Sequence, residues 1–149
     1  MLFFSKLQQN ELFWTCVLAW FLAQLIKVIL TFFFKKTLDL SRFVGSGGMP
    51  SSHSSFVTSL ATGMGIIKGY DSPIFAMCLI FALIVMYDAA GVRRAVGKQA
   101  KIINQMVEDL QEHKPNVFNE KRLKELVGHT PVEVFFGALL GIIVSNIML

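Results

Sequence analysis

The chain has 149 residues, of which 54% are hydrophobic and 16% are charged, and its mean hydropathy is +0.57. The length predicts a single domain over residues 1–149, and the apolar excess excludes an ordinary soluble domain. The net charge is +4, but the sequence shows no nucleic-acid-binding motif, so no nucleic-acid partner is expected. These features are typical of an integral membrane protein.

Four apolar blocks predict an all-α integral membrane protein with four transmembrane helices. In chain order the blocks are Leu12–Phe34, Ser51–Tyr70, Pro73–Val92 and Pro131 to the C-terminus. The first block is long enough to cross about 30 Å of hydrocarbon, and it is too long and too aromatic for a signal peptide. The second block crosses the membrane only if its serine-rich start belongs to the helix.

The segment between the third and fourth blocks has the pattern of an amphipathic helix. Its apolar residues recur at helical spacing among Lys, Gln, Glu and Asp, namely Val96, Ala100, Ile103, Val107 and Leu110. We expect this helix to lie on the membrane surface or against a partner helix, with a solvated connecting helix as the alternative. The letters "KPN" are expected to end it, and "EKRLKELVG" predicts a short second helix.

Basic residues divide unevenly between the two ends of the predicted bundle. The connections over residues 35–49 and 93–129 carry eleven Lys and Arg residues, whereas the opposite end carries Lys6 and Lys68. The positive-inside rule makes the basic side cytoplasmic. The sequence therefore predicts a multi-pass protein of the cell membrane with both termini outside.

The first connection leads into a segment with an unusual composition, "RFVGSGGMPSSHSS". It predicts a glycine-rich turn followed by a helix start, with Ser51 or Ser52 as the cap. Free N–H groups at a helix start bind anions, and Arg42 offers a guanidinium suited to phosphate oxygens. His53 can transfer a proton near neutral pH. The segment is interpreted as a phosphate site with a proton donor, and a tight capped connection is the alternative.

Other helix ends bring polar residues to the same predicted membrane face. Their residue types favour anion binding, and the full predicted phosphate-binding set is Lys35, Arg42, Gly48, Ser51, Ser52, Arg93, Arg94 and Lys98. Asp88 is a supporting residue, expected to pair with Arg93, Arg94 or Lys98 because an unpaired carboxylate is costly at a membrane end. Lys27 is expected to face the bundle interior or to extend towards the surface, with direct substrate contact as the lesser alternative.

The start of the fourth block carries "GHTPVE", in which His129 and Glu133 are four residues apart and share a helix face. A carboxylate in that position can fix the tautomer of the histidine. In a second interpretation Thr130 and Glu133 form a capping box. The two interpretations are compatible with each other.

These stretches resemble the type 2 phosphatidic acid phosphatase superfamily, which includes vanadium haloperoxidases. The chain is more closely similar to the small bacterial divergent PAP2 family, through "GGMPSSHSS", "YDAAGVRRAVGKQA" and "GHTPVEVFFGALLG". Lys35 and Arg42 keep the K-x6-R spacing of the superfamily, and "PSSH" corresponds to its P-S-G-H motif.

The third superfamily motif is altered. Glu133 stands for the usual Asp, and Leu123 stands where the motif has its arginine. The candidates to replace that arginine are Arg93, Arg94 and Arg122.

The resemblance implies a lipid-phosphate phosphatase that forms a phosphohistidine and needs no metal or other cofactor. By the family pattern His129 attacks phosphorus, Glu133 orients it, and His53 protonates the leaving group. The implied substrates are phosphatidylglycerol phosphate, phosphatidic acid or prenyl phosphates, dephosphorylated at a cytoplasm-facing site. The alternative is a non-catalytic phosphate- or phospholipid-binding membrane protein or transporter. A homodimer is also expected, because four spans make a thin bundle. Separately, Gly137 and Gly141 in "GALLG" permit close helix packing.

Overall fold

The computed structural model describes residues 2–36, 48–113, 123 and 128–149, without the side chains of residues 34, 35 and 111–113. Within these ranges the chain forms helices and no strand, which confirms the all-α prediction. The helices are α1 (Leu2–Gln8), α2 (Glu11–Lys35), α3 (Ser52–Lys68), α4 (Pro73–Ala90), α5 (Val92–His113) and α6 (Pro131–Met148). Of the predicted short helix "EKRLKELVG" the structure describes only Leu123 and Gly128, and the predicted end of α5 at "KPN" lies outside the described residues.

Short polar side chains set where the long helices begin. Asn10, Ser51, Ser72 and Thr130 each cap a helix by accepting a hydrogen bond from the backbone N–H three residues later. α4 and α6 also begin with proline at the first helical position, where the missing N–H costs nothing. These local signals explain why the predicted and observed helix starts agree within one residue.

Helix α3 lies at the centre of the bundle and packs against α2, α4 and α6. Its contact with α6 is close enough to require glycine, because a Cβ at Gly137 would meet the Ser51 backbone and one at Gly141 would meet Ser55 and Thr58. The predicted close-packing step of α6 is therefore used inside the chain, against α3.

Three hydroxyl groups, two on α3 and one on α6, are paired across the helix contacts. Ser55 donates to the Ala19 carbonyl of α2 at 2.9 Å, and Thr58 donates to the Ala138 carbonyl of α6 at 3.1 Å. Ser145 of α6 in turn donates to a carbonyl of α3 at 2.9 Å. These bonds let a polar helix occupy the centre, since buried polar groups are costly unless hydrogen-bonded.

Three stretches of the described residues are long and apolar enough to cross a membrane, namely Glu11–Phe33, Pro73–Leu110 and Pro131–Met148. The predicted second span is absent from this set. Helix α3 does include the serine-rich start, but its 17 residues rise about 26 Å, less than the roughly 30 Å of a hydrocarbon core.

The predicted amphipathic helix is present as α5. Of its predicted apolar stripe, Ala100 is buried and Val107 half-buried, whereas Val96, Ile103 and Leu110 are exposed in the chain by itself. The amide side chain of Asn104 exchanges two hydrogen bonds of 2.9 Å with the backbone of Leu123. Helix α5 thus holds part of the connection that leads to α6.

Candidate functional site

The start of α3 is held directly against the start of α6. The Ser51 N–H donates to the Glu133 carbonyl at 2.9 Å, and the Ser51 hydroxyl caps α3 by accepting from Ser54 N–H at 3.3 Å. Ser51 is fully buried. Its hydrogen bonds therefore position the two helix starts relative to each other, and its N–H is already engaged.

The backbone of His129 is held against α4 by a hydrogen bond. Its N–H donates to the Ala89 carbonyl at the end of α4, at 2.9 Å. Gly128 has a φ of +93°, and a Cβ there would meet the backbone of Arg93 and Arg94. Glycine is required here by both conformation and space, and this lets the chain bring His129 against α4.

The His129 ring is oriented by Glu133. His129 Nδ1 lies 3.0 Å from Glu133 Oε2, and the His129 side chain is almost completely buried. The same oxygen accepts from the Thr130 N–H at 3.1 Å, while the Thr130 hydroxyl accepts from the Glu133 N–H at 3.3 Å. The capping box and the histidine–carboxylate pair therefore exist together, through one carboxylate oxygen.

His53 and His129 lie side by side although they are far apart in sequence. Their ring centroids are 5.8 Å apart and their planes are inclined by 67°. His129 Nε2 and His53 Nδ1 are buried and have no hydrogen-bond partner among the described residues. Since buried polar atoms are usually satisfied, two such nitrogens in adjacent rings indicate a place for a polar ligand.

Lys27 is buried beside this pair, with 1% of its surface exposed. Its ammonium donates to Gln24 Oε1 at 2.7 Å, and its stem lies 3.3 Å from where a Cβ of Gly48 would stand. Gly48 has a φ of +89°, which favours glycine. The positive charge of Lys27 acts on both histidines.

The burial of Lys27 agrees with the expectation that it faces the bundle interior. Lys27 was not among the predicted site residues, although a lysine in an apolar block is costly unless its charge is paired or has a function. Lys27 also shares a helix face with Gln24 and Thr31.

The environment of His129 favours its neutral form. Burial of the ring lowers the pKa of His129 below its usual value, and the charge of Lys27 acts in the same direction. The hydrogen bond and charge of Glu133 and the backbone of Gly48 oppose this, but the net pKa shift is downward. A neutral ring with Nδ1–H donating to Glu133 leaves a lone pair on Nε2.

Asp88 forms an ion pair with Arg93, one of the three partners expected from the sequence. Arg93 Nε lies 2.7 Å from Asp88 Oδ2, and both side chains are partly exposed. The charges of both residues act on His53. Arg93 is therefore the α5 cation whose charge acts on His53, and its guanidinium is held by Asp88.

The structure describes the side chains of two of the other predicted cations, Arg94 and Lys98. Arg94 and Lys98 are exposed on α5, the side chain of Lys35 is not described, and Arg42 lies outside the described residues. Ser52, at the start of α3, is buried. The site that the structure assembles is thus formed by His53, His129 and Glu133, with Lys27, Arg93, Asp88 and Gly48 around them.

Comparison with known proteins gives a family match over most of the chain. Residues 8–144 match the family described as "Divergent PAP2 family". The chain is also 45% identical over 135 residues to a protein of Bacillus subtilis (strain 168) described as "Uncharacterized membrane protein YuiD", with 85% of each chain covered. No solved structure matches.

Proposed function

The chain belongs to the divergent PAP2 family, and on this premise we propose that it is a membrane-embedded lipid-phosphate phosphatase that acts through a phosphohistidine. One observation carries the proposal. The buried His129 ring has Nδ1 held by Glu133 and Nε2 without a partner among the described residues, beside the ring of His53. This arrangement supports a nucleophile fixed by a carboxylate with a second proton-transferring group next to it.

In the first step of the proposed reaction, His129 Nε2 attacks the phosphorus of a phosphate monoester. The N–P bond forms, the P–O bond to the alcohol breaks, and protonated His53 gives its proton to the leaving oxygen. Glu133 accepts the Nδ1–H hydrogen bond and stabilises the positive charge that develops on the His129 ring.

In the second step neutral His53 takes a proton from a water molecule as that water attacks phosphorus. The N–P bond breaks, inorganic phosphate leaves, and His129 and protonated His53 are restored. Lys27 and Arg93 supply positive charge near the transferring group, which lowers the energy of the transition state. Arg42, Lys35, Ser52, Arg94 and Lys98 remain proposed phosphate contacts.

We also propose a membrane topology with one crossing segment more than the three long apolar stretches. Helix α3 is the fourth crossing segment, shielded by α2, α4 and α6, so that its serines face protein rather than lipid. Helix α5 lies at the cytoplasmic interface with its exposed apolar side chains towards the lipid. Both termini are outside, and residues 1–149 form one domain. A homodimer is also proposed, through a surface other than the buried Gly137–Gly141 step.

The test is phosphate release by the purified protein in detergent. The panel is phosphatidic acid, phosphatidylglycerol phosphate and a prenyl phosphate, each with and without chelator, for the wild type and for His53→Ala and His129→Ala. We expect release from at least one ester by the wild type in both conditions, and none by His129→Ala. A folded wild type that binds inorganic phosphate and releases none from any ester would overturn the phosphatase proposal.

A second candidate, a non-catalytic phosphate-binding protein or transporter, is favoured by the buried ammonium of Lys27, which needs no nucleophile to bind an anion. His129→Lys separates the two functions because it removes the imidazole nucleophile and leaves the site with positive charge for binding an anion. Phosphatase activity should disappear in this variant while phosphate binding survives. A protein that never releases phosphate but whose phosphate binding is lost in Lys27→Met would support the second candidate.

A further inference from the structure

An apolar groove begins at His53 and runs between α2, α3 and α4. Its volume is about 410 Å³, within the range of about 300–1,000 Å³ that is typical of ligand sites. Among the described residues the lining consists of Val17, Trp20, Ser52, His53, Phe56, Val57 and Val85. Two of these side chains are polar, Ser52 and His53, and both belong to the first turn of α3.

His53 separates the groove from His129. Its ring lines the groove and also packs edge-to-face against the His129 ring, with the ring centroids 5.8 Å apart. In the proposed reaction the nucleophile and the leaving oxygen lie on opposite sides of phosphorus, and His53 is the group that reaches the leaving oxygen. Whatever is attached to that oxygen therefore lies on the groove side of His53.

The lining also restricts what can be attached there. Beyond Ser52 and His53 the side chains that line the groove are valine, tryptophan and phenylalanine. Among these side chains the ester carbonyls of a glycerolipid would find one hydrogen-bond donor, the indole N–H of Trp20, and polar groups lose free energy when they are buried unpaired. A hydrocarbon chain joined directly to the phosphate oxygen buries only apolar surface there.

We propose that this groove binds the hydrocarbon chain of the leaving alcohol, and that the preferred substrates are long-chain alkyl or prenyl monophosphates rather than glycerolipid phosphates. The inference rests on the proposed phosphatase function for the direction of the leaving group. Trp20 and Phe56 are partly exposed, with 39% and 36% of their surfaces accessible. The groove is thus open to the outside of the bundle, where a membrane-resident chain can enter.

The first experiment compares kcat/KM for hexadecyl phosphate, butyl phosphate and dipalmitoyl phosphatidic acid. We expect hexadecyl phosphate to exceed phosphatidic acid at least tenfold. Val85→Trp, which fills the groove, should lower kcat/KM for hexadecyl phosphate at least tenfold and lower kcat/KM for butyl phosphate much less, because a short chain buries little of the groove. Ile143→Trp is the matched control, because Ile143 is an exposed residue of α6 outside the groove lining. Val17→Phe is the milder filling variant if Val85→Trp does not fold.

The second experiment does not depend on turnover, so it distinguishes failure of the groove from failure of the phosphatase proposal. The wild type is photolabelled with an alkyl phosphate that carries a diazirine in mid-chain. We expect adducts on Trp20, Phe56 and Val85, reduced at least fivefold in the filled variants and unchanged in Ile143→Trp. Adducts spread evenly over the exposed apolar side chains, with no change on filling, would overturn the groove even in an active phosphatase. Groove adducts on a protein that releases no phosphate would support the groove and overturn the phosphatase.

Discussion

The two histidines of the site are held in different ways, although each lies at the start of a helix. His129 is fixed at its backbone by Ala89 and at Nδ1 by Glu133, and it is 2% exposed. His53 lies in the first turn of α3 and lines the apolar groove, and its buried Nδ1 has no partner among the described residues. A fixed ring suits a nucleophile, which needs one geometry, and a less constrained ring suits proton transfer to and from the leaving oxygen.

The largest expected effects come from removing either histidine, and esters with different leaving groups distinguish their two roles. His53→Ala should lower kcat/KM for a long-chain alkyl phosphate by about 10²- to 10⁴-fold, the usual contribution of a general acid. For p-nitrophenyl phosphate the same variant should lose much less, because that leaving group departs without a proton. His129→Ala should be inactive on both esters.

Phosphate release for both esters checks these losses in parallel. Equal losses in His53→Ala for the two esters would show that His53 does not act as the acid. Activity of His129→Ala on p-nitrophenyl phosphate would show that His129 is not the nucleophile.

Removing the charge that orients His129 gives the next effect. Glu133→Gln keeps an oxygen that can accept from the Thr130 N–H but removes the carboxylate, and kcat should fall by roughly 10²-fold because the nucleophile is less well placed. Glu133 raises the pKa of His129, so its loss should move the acid limb of the kcat/KM profile to lower pH. A pH series of initial rates measures both. A limb that moves to higher pH would contradict the assigned pair.

Lys27→Met should shift the same profile in the opposite direction. The Lys27 charge lowers the pKa of His129, so without it His129 stays protonated to higher pH and the acid limb moves to higher pH. We also expect kcat/KM to fall about tenfold through the loss of a charged hydrogen-bond donor near the phosphate. Lys68→Met is the matched control, since Lys68 is exposed at the far end of α3. An identical shift in both variants would exclude a local effect of Lys27.

The smallest expected effect comes from removing a helix-capping hydroxyl, which tests whether the cap or the Glu133 carboxylate positions His129. Thr130→Ala removes the hydroxyl that caps α6, and Ser72→Ala removes the equivalent group from α4. Each should lower stability by about 0.5–2 kcal/mol, measured by thermal unfolding in detergent, while the pH profile stays that of the wild type. If Thr130→Ala loses as much activity as Glu133→Gln, the cap rather than the carboxylate charge positions His129.

The sequence by itself determined most of the helix bounds and the residues of the histidine–carboxylate pair. Long apolar blocks, a serine or threonine cap and a proline at the first position are local signals, so they can be identified without knowing what packs where. The four-residue spacing of His129 and Glu133 is equally local, because both residues are carried by one helix start.

The tertiary structure alone decided which residues meet across helices. His53 and His129 meet because the Ser51 N–H bonds the Glu133 carbonyl, and α6 can approach that closely only because it carries Gly137 and Gly141. The charges of Lys27 and Arg93 act on His53 because α2 packs against α3 and α5 packs against α4, and no spacing in the sequence encodes these contacts. The physical reason is that contacts between distant segments depend on how helices pack, a property of pairs of surfaces rather than of any single stretch of residues.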